Sequence, residues 1–170
     1  MSTVMDKFSL KGRVAVVTGG AGLLGKQFTR AMGEAGAGIV VADIDHMAAE
    51  NHANQLIDDG IQAIAVKVDV TDSESVAKLV AITVDRLGRL DILVNSAAMD
   101  PKFDPDNINA QSSNAFETYP YETWKNAVDV NLTGTFLVTQ ACARQMLSQN
   151  YGVVINICST YGLVGPDQRL

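Results

Sequence analysis

The sequence predicts an α/β fold, a doubly wound parallel sheet within one domain spanning residues 1–170, and three observations lead there. First, apolar runs rich in β-branched residues recur at Val14–Val17, Ile39–Ala42, Ala63–Val68, Ile92–Val94 and Val153–Ile157. They are hydrophobic at nearly every position instead of alternating, the pattern of strands buried on both faces. Second, segments of helical period separate them, so strand and helix alternate and right-handed crossovers put helices on both faces of the sheet. Third, the first run leads through a glycine-rich turn, Thr18-Gly19-Gly20-Ala21-Gly22-Leu23-Leu24-Gly25, straight into a helix.

Each helix has its own start and stop signals. Leu23–Ala35 follows the glycine turn and ends at Gly36, and Asp45–Ile57 stops at Asp58-Asp59-Gly60. Ser73–Leu87 can be capped by Thr71 or Asp72, carries Glu74 in its first turn and ends at Gly88. A longer helical stretch runs from about Tyr121 to Gln149 and is closed by Tyr151-Gly152. Between the fourth run and that helix, Met99 to Pro120 is rich in Pro, Asn and Asp and has no apolar period. It is too long for an ordinary connection and leaves the end of a central strand, which marks it as a functional loop near a substrate cleft.

Composition narrows the partners. With 47% hydrophobic and 19% charged residues, the chain is globular and long enough to bury a core. Its net charge of −6 and lack of a basic run argue against nucleic acid and anionic membrane surfaces, which demand clustered Lys and Arg. No apolar run approaches bilayer length and the N-terminus has no signal-peptide pattern, so a cytoplasmic protein is expected. The two cysteines, Cys142 and Cys158, lack metal-ligand spacing, so no metal site is expected and both are read as reduced, mostly buried thiols.

The glycine turn carries the first functional signal. Gly20-x-Gly22-x-x-Gly25 and Gly19-x-x-Gly22-x-x-Gly25 overlap in it, with a strand before and a helix after. The first N–H groups of such a helix have no intrahelical partner and suit a pyrophosphate. Asp43 closes the second apolar run at the distance where an acid grips the adenosine ribose hydroxyls and repels a 2′-phosphate. No Arg or Lys stands in the loop or beside Asp43 to receive that phosphate, so NAD is the expected cofactor and NADP is not.

Further motifs follow in order: Asp69-Val70, Asn95-Ser96-Ala97-Ala98, Asn131-Leu132-Thr133-Gly134 and Asn156-Ile157-Cys158-Ser159. Together with Thr18–Gly25 this series resembles the short-chain dehydrogenase/reductase family, from about Leu10 to Gly165. The resemblance implies a Rossmann-like domain, interconversion of a secondary alcohol and a ketone with NAD, and a homo-oligomeric parent enzyme, dimer or tetramer. It implies cofactor contacts from Gly19, Gly20, Gly22, Leu23, Leu24, Gly25, Asp43, Ile44, Asp69, Val70, Asn95 and Ala97, with Asn131 and Ser159 catalytic. Read without it, Asp69 is a helix-capping acid and Asn95 a turn residue. Asn131 sits mid-helix, where asparagine is a poor helix former, and such local conflicts tend to mark sites.

The match has departures. Leu23 stands where the family's compact, single-domain branch has a glycine, and the loop spacing is that of the extended branch, whereas LVNSAA, DVNLTGTF and NICS follow the compact one. The tail from Ser159 to Arg169 is similar to members linked to surface-sugar or flagellin modification. The family's acid/base pair, Tyr-x-x-x-Lys, lies a dozen or more residues beyond the serine. Here the tyrosine after Ser159 is Tyr161, with Gly165 in the lysine position. Tyr121-Glu122-Thr123-Trp124-Lys125 fits the spacing but opens the wrong helix and reads as a decoy. The expectation is therefore a truncated dehydrogenase, inactive on its own, lacking the last helix and strands and leaving the fifth strand as an uncovered edge. The alternatives are a catalytically silent dinucleotide-binding module and a non-functional fragment.

Overall fold

In the computed structural model, which describes residues 4–99, 116–159 and 162, β1 (Val14–Thr18) is the centre of a five-stranded sheet. β2 (Gly38–Asp43) and β3 (Ala63–Lys67) lie to one side of it, β4 (Ile92–Asn95) and β5 (Val153–Asn156) to the other. The order is β3-β2-β1-β4-β5 and every pairing is parallel, with Val16 opposite both Val40 and Leu93. The chain thus reverses its direction of travel across the sheet at β1. Ligands of open α/β sheets bind in the crevice this reversal opens, beyond the carboxyl ends of the strands.

The period-two pleat splits the core. Val14, Val16, Val40, Ala42, Val66 and Leu93 face α3 (Ser73–Leu87) and α5 (Thr135–Ser148), meeting Val76, Leu79, Val138 and Cys142. Ala15, Val17, Ile39, Val41, Ile92 and Val94 face the opposite layer, where α1 (Leu23–Glu34) contributes Phe28 and Met32, and α2 (His46–Asp58) contributes Ala49, Ala53 and Leu56. Helices on both faces are what the alternation of elements requires, and the fold is the expected doubly wound one. Of the two possible caps of α3, Asp72 is used, accepting from the Glu74 N–H at 2.9 Å; Asp45 caps α2 through the Ala48 N–H at 3.0 Å. Gly88 ends α3 at φ 80°, a left-handed conformation that favours glycine.

Three expectations change. The long helix is not continuous: α4 (Tyr121–Val128) passes into a π-helical segment, Asp129–Gly134, before α5 begins. Gly134 of that segment presses on Val70, where an added Cβ would lie 2.7 Å from Val70 Cγ2, so the wide turn and the missing side chain accommodate one close contact. The two edge strands are not buried on both faces: β3 is half-buried at Ile64 and Ala65 and exposed at Lys67, and β5 is exposed along its whole length, the uncovered edge expected above. Cys142 is buried, its thiol pushed up to about 12 by desolvation, whereas Cys158 is exposed because it follows that edge strand. The Met99–Pro120 loop lies largely outside the described residues, as do Tyr161 and Gly165. Among the described residues no helix is long and apolar enough to cross a membrane, and no group of three metal-ligating side chains occurs.

At the amino ends of the central strands, a buried carboxylate ties the sheet together. The Asp91 side chain has no exposed surface; Oδ2 accepts from Arg89 Nε at 2.6 Å and the Val14 N–H at 2.9 Å, and Oδ1 accepts from Arg89 Nη2 at 2.6 Å and Arg13 Nη1 at 3.1 Å. Its backbone N–H donates to Val14 O, its carbonyl accepts from Val153 N, and the Arg13 guanidinium lies 3.7 Å above the Tyr151 ring. Burial pushes the Asp91 carboxyl up, but hydrogen bonds from Arg89, Val14 and Arg13 and the charge of Arg89 outweigh it, so the group is held below the usual carboxylate range. Its stabilisation is therefore fully present above the unfolded value of about 3.9 and is lost as pH falls through the lower folded one. Asp91→Asn is expected to lower the unfolding free energy by about 2 kcal/mol at pH 7, below the full value of a broken buried pair because both guanidiniums keep solvent contact. Urea melts at pH 7 and pH 3 check this, and the difference between parent and variant should shrink at pH 3.

Candidate functional site

The crevice at the carboxyl ends of the strands is a cleft of about 790 Å³. Gly19, Gly22, Leu23, Leu24 and Gly25 form one wall, Asp43 and Ile44 follow β2, Val68, Asp69 and Val70 follow β3, and Asn95 through Met99 follow β4. Val130 and Ile157 complete the lining. The cleft thus assembles the cofactor set anticipated from sequence except Gly20, which lies beneath the turn. A Cβ on Gly20 would lie 2.9 Å from Val17 O and 3.2 Å from Val41 Cα.

The turn is built by close approach. Gly19 has φ 63°, and a Cβ there would meet Ala97 Cα at 2.9 Å; a Cβ on Gly25 would overlap the Gly19 carbonyl oxygen. Gly22 is the N-cap of α1 and offers no side-chain cap, so the helix presents bare N–H groups to the cleft. Thr18, the last residue of β1, fixes the facing wall: its buried hydroxyl oxygen accepts from the Ser96 and Ala97 N–H groups at 3.1 and 3.2 Å. Its hydroxyl lies 3.5 Å from Val94 O as a donor. The motif Thr18–Gly25 does not by itself announce this role, although a threonine directly before the glycines is the signal that points to it.

Asp43 is docked on the turn. Its Oδ2 accepts from the Ala21 N–H at 3.0 Å and Oδ1 from the Asp45 N–H at 3.1 Å, which orients the carboxylate at the rim of the cleft. Asp69 is not the cap of α3, which is Asp72. Its Oδ1 accepts from the Thr71 hydroxyl at 2.7 Å and the Thr71 N–H at 2.9 Å, and these two bonds, against slight burial, hold its carboxyl below the ordinary value. Asn95 is buried. Its Nδ2 donates to Thr139 Oγ1 at 2.9 Å and Asn156 Oδ1 at 2.8 Å, joining β4 to α5 and β5, while its own Oδ1 is buried without a partner among the described residues.

Asn131 lies in the π-helical segment and its side chain grips one residue at both backbone groups: Oδ1 accepts from Met99 N at 2.8 Å and Nδ2 donates to Met99 O at 3.0 Å. It does not itself line the cleft, but it holds the end of the segment that does. Ser159 is exposed, three residues beyond β5; its carbonyl accepts from Gly162 N at 2.9 Å and from Cys158 Sγ at 3.4 Å. Tyr121 and Lys125 are engaged elsewhere. Tyr121 is stacked on Trp124 with centroids 6.3 Å apart, and Lys125 Nζ is 2.7 Å from Asp129 Oδ2, whose hydrogen bond and charge raise the lysine's pKa. Neither side chain lines the cleft.

A glycine-lined cleft at the reversal of a parallel sheet, with a helix N-terminus on one side and a docked acid on the other, defines the dinucleotide-binding class of doubly wound proteins. Within that class, the short chain dehydrogenase family matches residues 13–169, and the chain belongs to it. It is 36% identical over 151 residues to an uncharacterized oxidoreductase of Thermotoga maritima, covering 89% of this chain and 55% of that protein. Against the 5-keto-D-gluconate 5-reductase of Escherichia coli K12 it is 34% identical over 162 residues, covering 95% and 59%. Among solved structures, a gluconate 5-dehydrogenase from Burkholderia cenocepacia in complex with NADP and tartrate superposes with a TM-score of 0.83 at 32% identity, covering 96% of this chain and 60% of that one. An NAD+-bound xylitol dehydrogenase gives 0.81 at 31%, covering 92% and 56%. The chain therefore spans a little over half the length of these relatives.

Asn95→Ala removes the two side-chain bonds that run from β4 to α5 and to β5. The expected result is a loss of about 1–3 kcal/mol in urea unfolding together with faster amide hydrogen exchange across β5. Unchanged exchange in β5 would show that the edge strand does not depend on this amide.

Proposed function

We propose that this chain carries the cofactor-binding portion of an NAD-dependent oxidoreductase that interconverts a secondary alcohol and a ketone. The observation that carries the reading is the Asp43 carboxylate, held by two backbone N–H groups at the rim of a cleft whose glycines leave no room for a Cβ. When bound, the nicotinamide supplies the hydride chemistry; the protein's task is binding and orientation.

The turn and the bare N-terminus of α1 suit a pyrophosphate, and Asp43 suits two ribose hydroxyls. A 2′-phosphate would face a fixed negative charge there. Asp69 and Val70 would hold the adenine side of the cleft and Asn95 and Ala97 the nicotinamide side. Ser159 is proposed to hold the substrate oxygen and Asn131 to position the Met99 backbone beside it. The relatives named for gluconate and xylitol support a polyhydroxylated substrate; solved relatives occur with NADP and with NAD+, and the choice of NAD rests on the Asp43 carboxylate.

Fluorescence titration of the chain with NADH and NADPH is the test. NADH is expected to bind at least about tenfold more tightly, equivalent to about 1.4 kcal/mol, and Asp43→Ala to narrow that gap. Equal affinities in the parent would overturn the choice of cofactor. Gly25→Ala, which drives a methyl group into the Gly19 carbonyl, is expected to weaken NADH by at least about tenfold. Tyr121→Phe should leave the affinity unchanged.

A further inference from the structure

The cleft sets an electrostatic problem. A dinucleotide brings an anionic pyrophosphate, yet among the described residues the lining holds two carboxylates, Asp43 and Asp69, and no Lys, Arg or His. Attraction must come from hydrogen-bond donors instead, and those donors can be followed one by one. On the backbone, the first N–H of α1 with an acceptor among the described residues is that of Lys26, which donates to Gly22 O at 3.0 Å. The N–H groups of Leu23, Leu24 and Gly25, all lining residues, are left open.

Side chains offer less. The carboxylates of Asp43 and Asp69 accept and do not donate. Both N–H protons of the Asn95 amide are spent, on Thr139 Oγ1 and Asn156 Oδ1. Apart from Ser96, every other described lining residue is glycine or apolar. Ser96 is half-buried, and its hydroxyl has no hydrogen-bond partner among the described residues. Its oxygen is also reachable from solvent, unlike Asn95 Oδ1, which is sealed. The Ser96 hydroxyl is thus the one side-chain donor of the described lining that is not already engaged.

Its position suits the same anion. The Ser96 N–H donates to Thr18 Oγ1 at 3.1 Å, and its carbonyl oxygen lies 3.0 Å from where a Cβ on Gly19 would stand. The backbone of Ser96 is therefore fixed against the glycine turn. Asn95 sends its side chain to α5, and alternation along the strand turns the next one to the opposite face, the one that α1 covers. A hydroxyl on a fixed backbone can rotate its proton to suit an acceptor. We propose that Ser96 is a further cofactor-binding residue, its hydroxyl donating to a pyrophosphate oxygen across from the open N–H groups of α1. The proposal rests on the dinucleotide reading of the cleft.

The test is titration of the parent, Ser96→Ala and Ser96→Thr with NADH, ADP and adenosine. NADH has the pyrophosphate and the nicotinamide, ADP has the diphosphate without the nicotinamide, and adenosine has neither. In Ser96→Ala the Kd of NADH and of ADP should each rise by about five- to tenfold, the loss of one hydrogen bond to a charged acceptor, and that of adenosine by less than about twofold. Ser96→Thr keeps a hydroxyl and should bind NADH and ADP within about threefold of the parent. Unchanged NADH and ADP affinities in Ser96→Ala overturn the proposal. A loss for NADH alone would put the hydroxyl at the nicotinamide half, and an equal loss for all three ligands would make its role structural; either overturns the pyrophosphate contact. A loss in Ser96→Thr as large as in Ser96→Ala overturns the donor role. Absence of NADH binding to the parent would instead remove the dinucleotide reading, and this proposal with it.

Discussion

The structure depends on one close approach, that of the chain leaving β1 to the chain leaving β4. Gly19 passes so near Ala97 that a side chain on it would strike the backbone, and Thr18 just before it holds that same backbone through two N–H groups. Because β1 and β4 are neighbours in the sheet but distant in sequence, this contact sets the cleft's width where the chain reverses. It requires glycine for two independent reasons, the positive φ and the missing space, and so admits few substitutes. Gly25 repeats the argument within the turn itself, closing α1 onto the Gly19 carbonyl.

The two ends of the sheet solve opposite problems. At the amino ends Asp91 is sealed between Arg13 and Arg89, its charge spent entirely inside the protein to join β1, β4 and β5. At the carboxyl ends Asp43 accepts, among the described residues, from backbone N–H groups, which orient it without neutralising it. A carboxylate neutralised by arginine is a structural clasp, whereas one steered by amides keeps its charge available to a ligand. This difference, more than position alone, separates the clasp at Asp91 from the role proposed for Asp43.

Much of this was legible in the sequence because it is local. The glycine turn, the acid that closes β2 and the caps of the helices each follow from a few adjacent residues and a backbone rule. What was not legible depends on neighbours far apart in the chain. Asp91 reads as an ordinary acid at a strand start until the fold brings Arg13 to it. The π-helical turn at Asp129–Gly134 leaves the apolar period of the long helix almost intact, so periodicity could not reveal it; only the conflict of Asn131 with helix propensity hinted at a special position. Ser96 reads as a small residue after a strand, and nothing near it in sequence shows that the other polar side chains of the cleft are already engaged. The exposure of Cys158 is illegible for a related reason: it follows an edge strand, and edge position is set by the sheet order and not by the cysteine's own segment.

The cleft also divides by origin. Most of its lining comes from residues 19 to 99, on the ends of β2 and β4, the first turn of α1 and the turns that leave the strands, and is locked by Thr18, Asp43 and Asn95. The residues the family resemblance makes catalytic, Asn131 and Ser159, sit on the π-helical segment and beyond the exposed edge strand, where the framework is least enclosed. On the proposed function, dinucleotide binding would draw on the enclosed part of the molecule and contact with the substrate on its margin. The bond from Asn95 to Asn156 is a direct side-chain link between the two, so the order of the edge strand, and of Ser159 beyond it, is tied to the core through that amide. A change at the margin can then leave the cofactor site intact, whereas a change at Asn95 reaches both.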